Sequence, residues 1–501
     1  MKLRFFNKKV IIFGAVIFSA LSIIFMGCNK QLDINQSPNS PGFNQGNPSL
    51  VFPVAVLATT GKVGGDLALV GGMFSQYFTQ AASSNQYKDI DSYNLASNDS
   101  YVNTSYDVMF STGLKNYQYV IDQAKAAGDW NYYLMGTVMK AYTTEILVDL
   151  YDQIPYSQAL QGLNNQNPKF DDGYSIYINL LSNIDTALTA LNNNLNVRTN
   201  TLPGTQDLVF KGVMDNWIRF ANTLKLKMYL RMINAHPDVA NAGITAMYAK
   251  SANFLVTDAA VTNFTNAPGL DNPLWEQNMR QLNVTTNLRA STTFVSWLTA
   301  NNDPRISKFF GTAKINTINQ GDYTSASAAA LAATVFVQSP TDPVEFISLP
   351  ESYFLQAEAD VRYFGGLKAQ GLYNQGVLAA FTQLGLNGAP FVAAGGAYTF
   401  PVSGTADQKI ESIIVQKWAS CAYGCHGIEA FFDKNRTGYP RSSMVYSTSA
   451  SYVPGQLVIS KNSVLTAGLV PKRLVFPIDE TSRNTSSPKE VPSTNKVWWG
   501  L

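Results

Sequence analysis

The stretch YYLMGTVMKAYTTEILVDL, residues 132–150, decides the fold. Met135, Met139, Tyr142, Ile146 and Leu150 recur at steps of four, three, four and four, which puts them on one face of an α-helix. Tyr151-Asp152-Gln153-Ile154-Pro155 then ends the helix, because a residue before proline is pushed out of the helical region. Downstream, 176–191 repeats the pattern with Tyr177, Leu180, Leu181, Ile184, Leu188 and Leu191. The stretch 213–233 carries Trp217, Phe220, Leu224 and Met228 on one side and Leu226, Leu230 and Ile233 on another. A helix that is apolar on two sides is buried on two sides. The periods return at 353–364, 373–384 and 410–421.

Helical hairpins of about 30–40 residues that cannot bury their faces alone stack into a solenoid. The expected fold is therefore mostly α, with TPR-like stacked helical hairpins over about 106–235 and 345–432. Loop-rich insertions are expected at about 81–105, 236–344 and 385–404, where Asn-Pro, Asp-Pro, Gly and Ser punctuation interrupts the period. The last part, 441–501, reads as irregular.

The N-terminus reads differently. Lys2, Arg4, Lys8 and Lys9 precede an uncharged run that closes on Phe25-Met26-Gly27-Cys28. A basic start followed by an apolar stretch is a secretion signal. A cysteine after a small residue at its end is the pattern of a bacterial lipoprotein leader. Residues 1–27 are expected to be removed and Cys28 to be acylated, since two or more acyl chains anchor stably. The other reading of the run is an uncleaved helix that barely spans a membrane. Residues 28–49 are polar, with Asn, Gln, Ser, Pro and Gly, and read as a flexible tether. Residues 50–501 form the body. No second run of spanning length is read there, so the body is expected to be soluble and tethered.

The chain has 36 basic and 34 acidic residues, and four of the basic ones lie in the leader, which leaves 32 against 34. A near-neutral body argues against nucleic acid as a partner. Charged residues make up only 14%, and the loops are rich in Asn, Ser, Thr and Tyr. Such a surface suits polar, uncharged ligands or a broad protein contact. Beyond Cys28 the only cysteines are Cys421 and Cys425, which could pair locally or stay free. Three residues separate them, whereas attached haem requires two. No hydrolase, zinc-protease or phosphate-loop motif is present. No catalytic residue, cofactor or metal is expected.

Eight ordered stretches resemble the SusD/RagB family of outer-membrane nutrient-binding lipoproteins. They are Leu150-Tyr151-Asp152-Gln153-Ile154-Pro155-Tyr156-Ser157-Gln158-Ala159, Pro168-Lys169-Phe170-Asp171 with Ile176-Tyr177, and Trp217-Ile218-Arg219-Phe220-Ala221-Asn222 with Leu224-Lys225-Leu226. Asn302-Asp303-Pro304-Arg305, Phe354-Leu355-Gln356-Ala357-Glu358-Ala359 and Gln416-Lys417-Trp418 follow. Arg436-Thr437-Gly438-Tyr439-Pro440, and Pro471-Lys472-Arg473-Leu474 with Pro477, complete the series. Asn435 stands where the family has a first Arg, and Phe476 where it usually has Tyr. The resemblance implies a lipid-tethered cap over a SusC-like TonB-dependent transporter, delivering oligosaccharide or peptide to it. The helices would face the transporter and the insertions would carry the ligand site.

Sugars offer apolar ring faces that stack on aromatic side chains and hydroxyls that need amide or guanidinium partners. Two stretches have that composition: Gln86, Tyr87, Tyr93 and Tyr101 in the first insertion, and Asn272, Trp275, Arg280 and Arg289 in the second. The alternative for Trp275 is packing under a loop, and for Tyr87 and Tyr93 an ordinary surface position. Glu358 reads as a structural partner for a basic side chain. A tethered structural or adhesion protein that binds other proteins is the second reading, and a glycoside hydrolase the third.

Overall fold

The computed structural model describes residues 46–501. The leader, Cys28 and most of the tether lie outside the described residues. Residues 48–501 form one compact unit.

Helix α1 (Pro48–Gly61) is followed by a π-helical turn (Lys62–Asp66) and by α2 (Leu67–Phe74). Together they make a helical run of 27 residues long and apolar enough to cross a membrane, contrary to the sequence reading. Most of it is buried inside the body, because Phe52, Val56 and every residue of α2 belong to the core.

Strand β1 (Phe78–Gln80) follows. Helix α3 (Lys115–Ala127) ends on Gly128, whose φ of 70° only glycine adopts freely. Asp129 then caps α4 (Trp130–Tyr151) by accepting from the Tyr132 N–H. Two residues thus close the first hairpin. All of α4 is buried except Trp130 and Lys140, so the single apolar face read from its sequence understates its burial. The reason is that α4 is covered on several sides and points Glu145 and Asp149 into a buried ion network.

Strand β2 (Gln153–Pro155) leaves α4 and pairs antiparallel with β3 (Phe170–Asp172). Asp172 caps α5 (Gly173–Asn193), and α6 (Met214–Arg231) and α7 (Pro237–Ala249) follow. Helix α7 lies inside the expected second insertion. Pro237 starts it, where its missing N–H costs nothing. Strand β4 (Ala259–Val261) comes next, then β5 (Leu288–Ala290), which pairs with β1, and β6 (Val344–Ile347), which pairs with β4. The scaffold resumes with the hairpin α8 (Leu349–Tyr363) and α9 (Ala369–Gln383), then α10 (Ala406–Ser420) and α11 (Gly427–Thr437). The fold is mostly α with TPR-like hairpins, as the sequence predicts.

Buried ionisable groups stitch the two halves of the scaffold together. Lys227 of α6 lies 2.9 Å from Glu145 of α4, and Arg231 lies 3.0 Å from Asp149 and 2.7 Å from Glu429 of α11. Lys417 of α10 reaches Glu429, Asp433 and Glu351 at 2.8–3.1 Å. Arg436 grips Glu358 of α8 through two hydrogen bonds of 2.6 and 2.8 Å. The two ring nitrogens of His426 face the Glu345 carbonyl at 3.1 Å and the Glu351 carboxylate at 2.6 Å. Cys421 and Cys425 are both free thiols.

Candidate functional site

The short sheet β1–β5 lays the first insertion against the second. Beyond it, the Ala81 N–H donates to the Asn287 carbonyl at 2.7 Å and the Ser83 N–H to the Tyr323 carbonyl at 2.9 Å. Asp91 is the knot of this region. It is fully buried and accepts from Thr79 Oγ1 at 2.6 Å, from the Gln80 N–H at 2.9 Å and from the Gln320 amide. Burial pushes its carboxyl up to about 6, against the pull of those hydrogen bonds.

These ties leave an open polar groove of about 580 Å³. Ser84, Asn85, Lys88 and Asp89 form one wall, and Tyr323 and Thr324 face them. The lining is hydroxyl- and amide-rich, with one lysine and a single carboxylate, Asp89. Glycoside hydrolysis uses two carboxylates about 5–9 Å apart, and this groove offers one.

The predicted residues divide. Gln86 is exposed, between groove residues Asn85 and Lys88. Tyr87 turns inward: its ring is 1% exposed, and its hydroxyl donates to Asn278 Oδ1 at 3.0 Å. Tyr93 is buried with φ of 64°, its ring edge-on to Phe74 at 5.6 Å, on the far side of the segment's packing. Tyr101 is half-buried near Tyr87 and Asp66; burial first, and then the carboxylate, pushes its hydroxyl up to about 12.

The second stretch is mostly structural. Asn272 is buried and caps a short helix (Pro273–Trp275), its Oδ1 accepting from the Leu274 and Trp275 N–H groups at 3.0 and 3.2 Å. Its Nδ2 donates to the Asp342 carbonyl at 3.0 Å. Arg280 is held by Asp271, Glu276 and Asn266, and Arg289 of β5 donates to the Ala333 carbonyl. Trp275 is half-buried, and no ring–ring contact is found for it among the described residues. The turn that carries it packs on the π-helical turn. A Cβ on Gly65 would lie 3.5 Å from Gln277 Oε1 and from Pro273 Cβ.

The structure therefore brings Tyr87 and Tyr101 to the edge of the Trp275 turn, with Gln86 on the groove side. It commits Asn272, Arg280 and Arg289 to holding loops. Sequence reasoning missed Ser84, Asn85, Asn278, Tyr323 and Thr324. The turn Gly321-Asp322-Tyr323-Thr324, an aromatic among polar turn residues, carried the same signal as Tyr87.

The two insertions thus build most of a near-neutral polar groove on a helical-hairpin scaffold. Residues 57–458 match the model of a SusD-like family described as starch-binding and associating with the outer membrane. The chain belongs to that family. A comparison with curated protein sequences gives no match. Among solved structures, a chitin-binding SusD homologue from Flavobacterium johnsoniae superimposes with a TM-score of 0.71 at 20% identity, over 90% of this chain and 98% of its own. A SusD-like protein from Bacteroidetes gives 0.71 at 18% identity, over 91% and 100%. A SusD homologue from Bacteroides uniformis gives 0.70 at 21% identity, over 91% and 100%. At such identities the likeness defines the fold.

Proposed function

We propose that this protein is a cell-surface lipoprotein, acylated at Cys28, that binds a neutral oligosaccharide and hands it unaltered to a SusC-like TonB-dependent transporter. The observation that carries the ligand class is the groove beside Gln86. Its hydroxyls and amides match a polyhydroxylated ligand, its charge is balanced, and the aromatic side chain of Tyr323 lines it. Family membership supports carbohydrate and the outer membrane. Peptide is the weaker reading, because a peptide's termini and side chains call for more charge than Lys88 and Asp89 supply. Binding residues on loops held by a rigid scaffold are the usual arrangement. In this reading Gln86, Tyr101, Trp275 and Tyr323 touch the ligand, while Tyr87 positions the turn opposite.

Calorimetric titration of the mature protein with chito- and malto-oligosaccharides tests the binding half. Saturable binding without release of shorter sugars is expected; hydrolysis, or binding of no neutral glycan, overturns it. Purification from detergent-solubilised membranes tests the other half. A co-purifying β-barrel transporter and a Cys28→Ala variant shed from the membrane are expected. A partner that is another surface protein, with no barrel, would favour the adhesion reading.

A further inference from the structure

On the other side of Tyr93 lies a second, largely enclosed cavity of about 110 Å³, where α2 and α11 meet the irregular C-terminal part. Its walls are apolar: Phe74, Phe431, Val458 and Val470, with the Phe74 and Phe431 rings 5.2 Å apart. The polar groups in those walls are already used. Gln76 donates to the Val458 carbonyl at 2.5 Å and accepts from Thr293 and from the Val458 N–H. Ser443 Oγ donates to the Val445 carbonyl at 2.7 Å.

Two ammonium groups are the exception. Lys434 donates to the Gly438 and Pro440 carbonyls, which leaves one of its three N–H donors. Lys472 is half-buried, and its ammonium has no hydrogen bond or ion pair among the described residues. Neither lysine pairs with a carboxylate there. The nearest acid in sequence, Asp433, is taken by Lys417 and Arg436 on the opposite face of α11. Burial, and then the like charge of Lys472, pushes Lys434 down to about 7. Two part-buried amines beside an apolar wall, with no counter-charge, carry an electrostatic cost when protonated that a bound anion would remove.

We propose that this cavity binds a small organic carboxylate, its head between the ammonium groups of Lys434 and Lys472 and its apolar tail against Phe74, Phe431, Val458 and Val470. The site is separate from the glycan groove and does not depend on that reading. Met444, on the same lining and 85% exposed, marks its rim. The chemistry selects against alcohols, which bring no charge, and amines, which bring the wrong one.

The test uses the full mature chain and three probes with one tail: hexanoate, hexanol and hexylamine. Hexanoate is expected to raise the melting temperature saturably, and the other two to leave it unmoved at the same concentration. Lys472→Met should weaken hexanoate about tenfold or more, and Lys472→Arg should bind within about threefold of the parent. Lys434 is left intact, because it also holds the Gly438 and Pro440 carbonyls. Equal shifts by hexanol, a shift reproduced by chloride at the same ionic strength, no saturable shift, or unaltered binding by Lys472→Met would each overturn the site.

Discussion

The hydroxyl of Tyr87 and the side-chain oxygen of Asn278 are 3.0 Å apart, both buried, and they join insertions that lie 191 residues apart in sequence. Burial pushes the Tyr87 hydroxyl well above the ordinary phenol range, so it acts here as a neutral donor. Tyr87→Phe keeps the ring and removes the donor, leaving the Asn278 oxygen unsatisfied. The expected cost is about 1–3 kcal/mol in urea unfolding. Glycan affinity should fall as well, because the Trp275 turn loses its tie to the first insertion. Unchanged stability would mean that water replaces the hydroxyl and that the two insertions are held by other contacts.

Trp275 separates the two effects less sharply. It is half-buried with no aromatic partner among the described residues, so Trp275→Ala should cost about 1–3 kcal/mol of stability, short of the roughly 3–5 kcal/mol for a fully buried tryptophan. A sugar stacked on the indole would lose on the order of 1–1.5 kcal/mol, close to tenfold in affinity. Intrinsic tryptophan fluorescence followed during titration checks both. A variant that binds as tightly as the parent removes Trp275 from the site.

The scaffold was legible because its helices carry their signals locally. The four-three-four steps of 132–150, the Pro155 stop and the caps at Asp129, Asp172 and Thr405 all lie within a few residues of the turns they shape. The candidate site was half legible for the same reason turned around. Composition flagged Gln86, Tyr101 and Trp275, but nothing local distinguishes the inward Tyr87 from an outward tyrosine. That depends on Asn278, a partner far along the chain. Asn272 is instructive, since Asn followed by Pro is a helix-start signal in its own right. Its amide went to the cap and not to a ligand. Arg280 and Arg289 found Asp271 and the Ala333 carbonyl, which no spacing announces.

The crossing of α2 with α11 brings two backbones into contact at Gly71, Gly72 and Gly427. A Cβ on Gly427 would sit 2.6 Å from the Gly72 nitrogen, and one on Gly71 would sit 2.2 Å from the Ile428 nitrogen. Backbone cannot swing aside as a side chain can. Gly427→Ala should therefore destabilise by about 1–3 kcal/mol or more, the range for overpacking. Gly371 in α9 is the control, with nothing within 4 Å of its added Cβ. Gly371→Ala should stabilise by about 0.5–1 kcal/mol through helix propensity. Opposite signs for the same chemical change in paired urea titrations are the expected result.

The ion network sets the pH response, and its two ends pull in opposite directions. Burial raises the Glu145 carboxyl to about 8, against the attraction of Lys227 and with the repulsion of Asp149 added. Burial also works to raise Glu358, but Arg436 and Arg362 overcome it and hold that carboxyl at about 2. Both groups start near 4.5 when unfolded. Glu145 keeps its proton in the folded chain between about 4.5 and 8, where the unfolded chain has lost it. Its contribution is therefore fully present below about 4.5 and is lost as pH rises towards 8. Glu358 contributes fully above about 4.5 and loses that contribution as pH falls towards 2. Glu145→Gln fixes the neutral form and should flatten the decline in unfolding free energy between about pH 5 and 8. Glu358→Gln should flatten the acid limb while costing about 3–5 kcal/mol at neutral pH, because Arg436 is left buried against a neutral amide. Urea titrations at acid, neutral and mildly alkaline pH separate the two. Parallel curves for Glu145→Gln and the parent across the upper range would show that Glu145 is ionised in the folded chain.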